Sequence, residues 1–125
     1  MFRLDKRKIF LLYQYYLLGS ILLDTENESE KNSERISWFN NCLKKEKYLN
    51  KLITEKLKTD WEFPCLPVLE KAILIYASHE LLFEQSPHHE KLVIDQVINF
   101  SKVYLEEDKF KYINKVLDLL IKEKR

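Results

Sequence analysis

At 125 residues with a net charge of +1, the chain is the size of one domain and exerts no bulk electrostatic pull on nucleic acid. Its single glycine excludes phosphate-cradling glycine loops and GxSxG nucleophile elbows, and leaves too few positive-φ positions for a strand-rich fold. A chain this long can bury roughly two-thirds of its unfolded surface without a disulfide or a metal, and its richness in Leu, Lys, Glu and Ile predicts an all-α class.

Asp5 to Leu23 reads as the first helix, apolar and aromatic around much of its circumference, with Gly19-Ser20 weakening its end. At 100° per residue, Arg3, Lys6, Phe10 and Tyr13 fall within an arc of about 80°. Two cations followed by two rings along one ridge suit a single-stranded RNA, although aromatics at helical spacing more often belong to a core. Residues 24–34 follow with five acids, Lys31 and no apolar side chain, and are expected to form a polar linker without chemistry.

Ile36 to Leu57 predicts one long helix or two short ones. Ile36, Phe39 and Leu43 make one stripe and Leu49, Leu52, Ile53 and Leu57 another, with a break or twist expected where Lys45-Glu46 intervene. Residues 44–58 hold six lysines against two glutamates. They form either a solvated face or one that contacts phosphates.

Trp61 to Pro67 is a proline-bounded, aromatic connection expected to pack over the core, with Pro67 suited to a first-turn position. The next stretch, PVLEKAILIYASHELLF, is apolar on nearly every side. It predicts a buried central helix with the other elements packed around it, and at 17 residues with two glutamates and a lysine it is a poor membrane span.

Ser86-Pro87 reads as a helix start, and Val93, Ile94, Val97, Ile98, Phe100, Tyr104 and Leu105 keep a 3.6 period after it. Glu106-Glu107-Asp108 would suit the positive end of a last helix whose core face is Ile113, Val116, Leu117 and Leu120. Asp108, Lys111 and Lys115 project on the opposite side of that helix, with Tyr112 at the boundary.

Chemistry is sparse. His79, His88 and His89 match no zinc spacing, and adjacent histidines point to different sides of a helix, so no metal site is expected. Cys42 and Cys65 form no CxxC and sit among apolar residues, as buried thiols in a reducing cytoplasm would. Neither has a basic neighbour to lower its pKa, so catalysis through Cys65 or a histidine is a distant option. The basic start followed by Ile9–Leu12 loosely mimics a signal peptide, but Tyr13, Gln14, Tyr15 and Tyr16 interrupt it. A cytoplasmic protein that is not an enzyme, with no cofactor and no small-molecule substrate, is the expectation.

Three stretches resemble the NusB transcription antitermination family. Glu70-Lys71-Ala72-Ile73-Leu74 with Ala77 and Glu80-Leu81 is similar to its central helix. Val93 to Lys102 is similar to the helix that follows, and Glu107-Asp108 with Tyr112 to Asp118 is similar to its "ED…FVNGVLD" segment. Leu12-Tyr13 stands where the family has "LY" after an arginine-rich start.

The resemblance implies one compact NusB-like domain of two small helical halves, residues 1–60 and 61–125, sharing a core. It implies a non-enzymatic factor that binds boxA-like RNA with NusE, the small-subunit ribosomal protein, and thereby reaches RNA polymerase to suppress termination. Arg3 and Tyr13 match the family's N-terminal RNA-facing positions, and Asp108, Lys111 and Tyr112 its C-terminal ones. Lys6, Arg7 and Lys8 stand in for an arginine cluster, and Lys115 extends the basic strip of the last helix. The acidic region of residues 60–108, with Glu70, Glu80 and Glu84 on the central helix, would face the basic ribosomal partner. The sequence departs from the family at the central-helix arginine, here Ile75, and at the glutamine before "LY", here Leu11 or Phe10. These departures motivate the alternative of a helical protein-interaction domain with an eroded RNA site.

Overall fold

A computed structural model describes residues 3–19, 30–57, 67–84 and 89–124. Among them are five α-helices and no strand: α1 (Lys6–Leu18), α2 (Glu30–Leu57), α3 (Val68–His79), α4 (Glu90–Tyr104) and α5 (Glu107–Lys124). The all-α class follows from the sequence as expected. The aromatic connection ending at Leu66, with Cys65 in it, lies outside the described residues, as do His88 and the Ser86-Pro87 start signal.

The central helix is the axis its composition predicts. Every side chain from Ala72 to Leu81 is buried, and α3 touches all four other helices. One hydrophobic cluster runs through all five helices, joining Ile9 and Leu12 to Trp38, Leu49, Ile73, Val97 and Leu117. Burying each Ile or Leu of α3 contributes about 1.5–3 kcal/mol, so this helix outweighs the few tenths that surface pairs supply. Pro67 takes the N-cap position rather than the first turn, and its carbonyl accepts from the Lys71 amide at 3.1 Å.

Beyond His79 the helix widens into a π-helical turn, Glu80–Glu84. A π turn closes i→i+5 hydrogen bonds, carries more residues per turn than an α-helix and occurs frequently at functional sites. Here Leu81 stays in the core, Leu82 is half-buried and Phe83 emerges with 41 % of its surface exposed.

Three expectations are corrected. The first helix ends at Leu18 rather than Leu23: Gly19 adopts φ +76° and donates its amide to the Tyr15 carbonyl at 2.9 Å, so the residue read as a weakness is the terminator. The polar linker is shorter than residues 24–34, because α2 already begins at Glu30. Glu, Lys and Arg are good helix formers, and polarity alone does not exclude helix. Finally, α2 runs without a break through Lys45-Glu46. The Tyr16 hydroxyl donates to Glu46 Oε1 at 3.2 Å, and the Lys45 ammonium lies 4.5 Å from the Phe83 ring centroid, so both polar groups find partners on neighbouring elements. Burial beside that carboxylate pushes the Tyr16 hydroxyl far above its usual pKa.

Helices α1 and α2 run parallel. Asp5 pairs with Arg35 at 2.9 Å, the Lys8 ammonium lies 5.0 Å from the Trp38 ring centroid, and Tyr16 meets Glu46. Each partner is thirty positions on from the first residue, which holds the two helices side by side in one direction.

Candidate nucleic-acid interface

The N-terminal segment is pinned before α1 begins. Asp5 caps the helix, its Oδ1 accepting from the Arg7 amide at 3.0 Å, while Oδ2 accepts from Arg35 Nε of α2 at 2.9 Å. The Asp5 amide donates to the buried Tyr76 hydroxyl of α3 at 3.0 Å, and the Leu4 amide to Gln96 Oε1 of α4 at 2.8 Å. Helices α2, α3 and α4 therefore hold three groups of this segment, two backbone amides and one carboxylate oxygen. Burial raises the Tyr76 hydroxyl pKa well out of its titrating range, the Asp5 amide opposing this, so Tyr76 stays a neutral acceptor.

This anchoring presents the cations. Arg3, Lys6 and Arg7 are exposed, and with Arg35 they line a cleft of about 470 Å³ whose apolar wall includes Leu4 and Phe100. Phe10 packs against Phe100 and Tyr104 of α4, with ring centroids 6.2 and 6.3 Å apart, and those two rings lie 4.8 Å from each other. Tyr104 is 49 % exposed. An open aromatic surface beside a cluster of guanidinium and ammonium groups can take a phosphate and stack a base.

The other sequence-predicted residues distribute unevenly. Lys8 turns toward Trp38 and is absent from the cleft lining. Tyr13 is half-buried against the core. On α5, Asp108, Lys111 and Lys115 are exposed on the face opposite Ile113, Val116, Leu117 and Leu120, as the period predicts. The Lys111 ammonium pairs with Glu107 Oε1 at 2.6 Å one turn back and holds that carboxyl below its usual pKa. Tyr112 is half-buried, and its hydroxyl pKa is raised by burial and by the charge of Glu70.

Two of the three proposed partner contacts are corrected. Glu70 is 5 % and Glu80 6 % exposed, so neither offers a carboxylate to a docking protein. Desolvation raises the Glu70 pKa, Lys109 of α5 opposes the shift and Asp108 adds to it, which makes Glu70 a junction between α3 and α5 instead. The side chain of Glu84 lies outside the described residues. Among the described residues of the C-terminal half, the exposed acids are Asp95, Glu106, Glu107, Asp108 and Asp118.

Sequence reasoning missed Arg35 and Phe100 as parts of the first-helix cleft, and Tyr104 as part of the ring cluster beside it. Phe100 and Tyr104 were legible only as members of a helical stripe, and Arg35 fell at the edge of the polar linker. Among the described residues no group of three or more His, Cys, Asp or Glu side chains could hold a metal, and no helix is long and apolar enough to cross a membrane. His79 is buried rather than coordinating, packed between Trp38 and Phe83 with ring centroids 5.6 Å away on each side.

Comparison with known proteins agrees with the resemblance. The sequence profile of the NusB family matches residues 7–122. The transcription antitermination protein NusB of Helicobacter pylori (strain Shi470) is 32% identical over 107 residues, covering 86% of this chain and 75% of that protein. That of Helicobacter acinonychis (strain Sheeba) is 35% identical over 101 residues, covering 78% of this chain and 71% of its own. A solved structure of T. maritima NusB superposes with a TM-score of 0.77 over 98% of this chain and 94% of that one, at 23% identity, which establishes the shared fold.

Proposed function

Because this chain belongs to the NusB family, we propose that it is an RNA-binding transcription antitermination factor. In this reading it binds boxA-like RNA together with NusE, and through that complex reaches the RNA polymerase elongation complex during ribosomal RNA transcription in the cytoplasm. It acts by binding alone, with no catalytic step and no cofactor. The observation that carries the RNA reading is the pinned N-terminal segment, which sets Arg3, Lys6 and Arg7 around a cleft walled by Phe100.

The division of labour follows from chemistry. Guanidinium and ammonium groups of Arg3, Lys6 and Arg7 take phosphates, with Lys8 adding charge from the side, and these contacts fix register without reading sequence. Tyr13 and Tyr112 offer ring edges and partial faces to bases, and the Asp108 carboxylate accepts from a base amino group. Lys111 and Lys115 extend phosphate contacts along α5, Lys111 by exchanging its exposed Glu107 partner for a phosphate, a small loss for a solvated pair. NusE, being basic, docks on the exposed acids Asp95, Glu106 and Glu107.

The test is titration of a labelled boxA-like RNA with the chain and NusE across salt. With about three phosphates neutralised, affinity should fall roughly ten-fold between 50 and 150 mM salt. Lys6→Ala/Arg7→Ala should lower affinity further and flatten the salt slope. Absence of RNA affinity with NusE present, or a double variant equal to wild type, refutes the proposal. The alternative, a protein-interaction domain with an eroded RNA site, draws on Ile75, which is fully buried where relatives of the resemblance carry an arginine. It predicts recovery of a protein partner without RNA.

A further inference from the structure

The lysine-rich segment of α2 meets the π turn of the central helix at a surface apart from the α1 cleft. Tyr48 is 55 % exposed and packs edge-on against the exposed Phe83 with centroids 6.0 Å apart. The Lys45 ammonium lies over the Phe83 ring at 4.5 Å. On α2, Lys44 and Lys51 are exposed and stand four residues before and three after Tyr48, one turn to either side on the same ridge. Beneath, the buried His79 ring backs Phe83 at 5.6 Å. Burial, with Lys45 and Lys8 nearby, holds its pKa down to about 4, so the ring is a neutral support at physiological pH and adds no charge of its own.

We propose that Tyr48 and Phe83, flanked by Lys44, Lys45 and Lys51, form a second contact for single-stranded nucleic acid, separate from the α1 cleft. A soluble protein exposing two adjoining large rings leaves apolar area that a flat partner can cover, and a base has a flat face on either side. Charge selects the occupant: three lysines border the rings, and the nearest acid on the same helix, Glu46, is engaged by Tyr16. A polyanion with flat bases satisfies both requirements at once, whereas an acidic peptide satisfies only the charge. The contact is sequence-tolerant, because stacking and phosphate attraction do not discriminate among bases. On this proposal the α2 lysines form a phosphate-contacting face rather than a solvated one.

The probe is a labelled fifteen-nucleotide oligouridine, which lacks any boxA element, titrated against the full chain by fluorescence anisotropy at low salt. Tyr48→Ala should weaken oligouridine binding about ten-fold, and Lys44→Ala/Lys51→Ala should weaken it and flatten its salt dependence. Both substitutions lie on an exposed helix face, so circular dichroism should be unchanged. Lys6→Ala/Arg7→Ala should leave most of this binding intact while reducing boxA-like RNA binding, which separates failure of this contact from failure of the α1 site. Unaltered oligouridine affinity in Tyr48→Ala, or complete loss in Lys6→Ala/Arg7→Ala alone, overturns the proposal. So does loss in Tyr48→Ala of binding to a polyglutamate peptide with none to oligouridine.

Discussion

Replacing Asp5 tests how the fold sets the RNA-facing segment. Asp5→Ala removes the α1 cap, worth about 1 kcal/mol, and strands Arg35. The Asp5 and Arg35 side chains are 27 % and 18 % exposed, so their pair lies at the upper end of the surface range, about 1 kcal/mol. Together the loss is about 2 kcal/mol, roughly an 8 °C fall in Tm for a domain of this size. Asp5→Asn keeps a capping oxygen and loses only the charge, so thermal melts by circular dichroism should place it about midway. RNA binding gives an independent sign. Deleting a negative charge beside the cleft would, by Coulomb's law alone, tighten binding. If Asp5 positions Arg3 and Arg7, Asp5→Ala should instead weaken binding several-fold while Asp5→Asn stays close to wild type. Tm values within about 1 °C of wild type for both variants would refute the anchoring, and tighter RNA binding by Asp5→Ala would refute the positioning role.

Leu74→Ala, at the fully buried centre of α3, should cost about 2–5 kcal/mol by urea unfolding and compromise folding without touching a binding side chain. Gly19→Ala should cost about 1 kcal/mol from its left-handed backbone alone, because nothing within 4 Å meets an added Cβ, and Gly19→Asn should cost less. His79 titrates near 4 when folded and near 6.5 when unfolded, so its contribution is complete above pH 6.5 and declines as pH falls toward 4. Urea midpoints should drop over that window by the equivalent of up to about 3 kcal/mol, and His79→Phe should flatten that part of the profile.

The central helix and the core face of α5 were legible because apolar periodicity and burial are the same physical fact. Ala72 to Leu81, and Ile113, Val116, Leu117 and Leu120, are buried as that logic requires. Three of the misreadings share a cause: the deciding partner is distant in sequence. Lys45-Glu46 looked like a break because a polar pair on an apolar stripe needs partners, and those partners, Phe83 and Tyr16, lie on other elements. Glu70 looked like surface because carboxylates usually are, yet Lys109, thirty-nine residues on, lies beside it in the α3–α5 junction. The α1 ridge of Arg3, Lys6, Phe10 and Tyr13 was visible, but the apolar wall of its cleft includes Phe100, and Phe10 packs against Phe100 and Tyr104, ninety and more residues away.

The π turn at Glu80–Glu84 sets by residue count which way the last side chains of the central segment, Leu81 to Phe83, face. Deleting one residue there, such as Leu82, would let the segment close as an ordinary α turn, and each later side chain would swing about 100° around the axis. Upstream, Ala72 to His79 would keep their seats, so the axis of the fold would survive. Downstream, Phe83 would leave Tyr48 and Lys45. The extra residue thus works as a phase shifter, letting one uninterrupted segment face inward for most of its length and outward at Phe83.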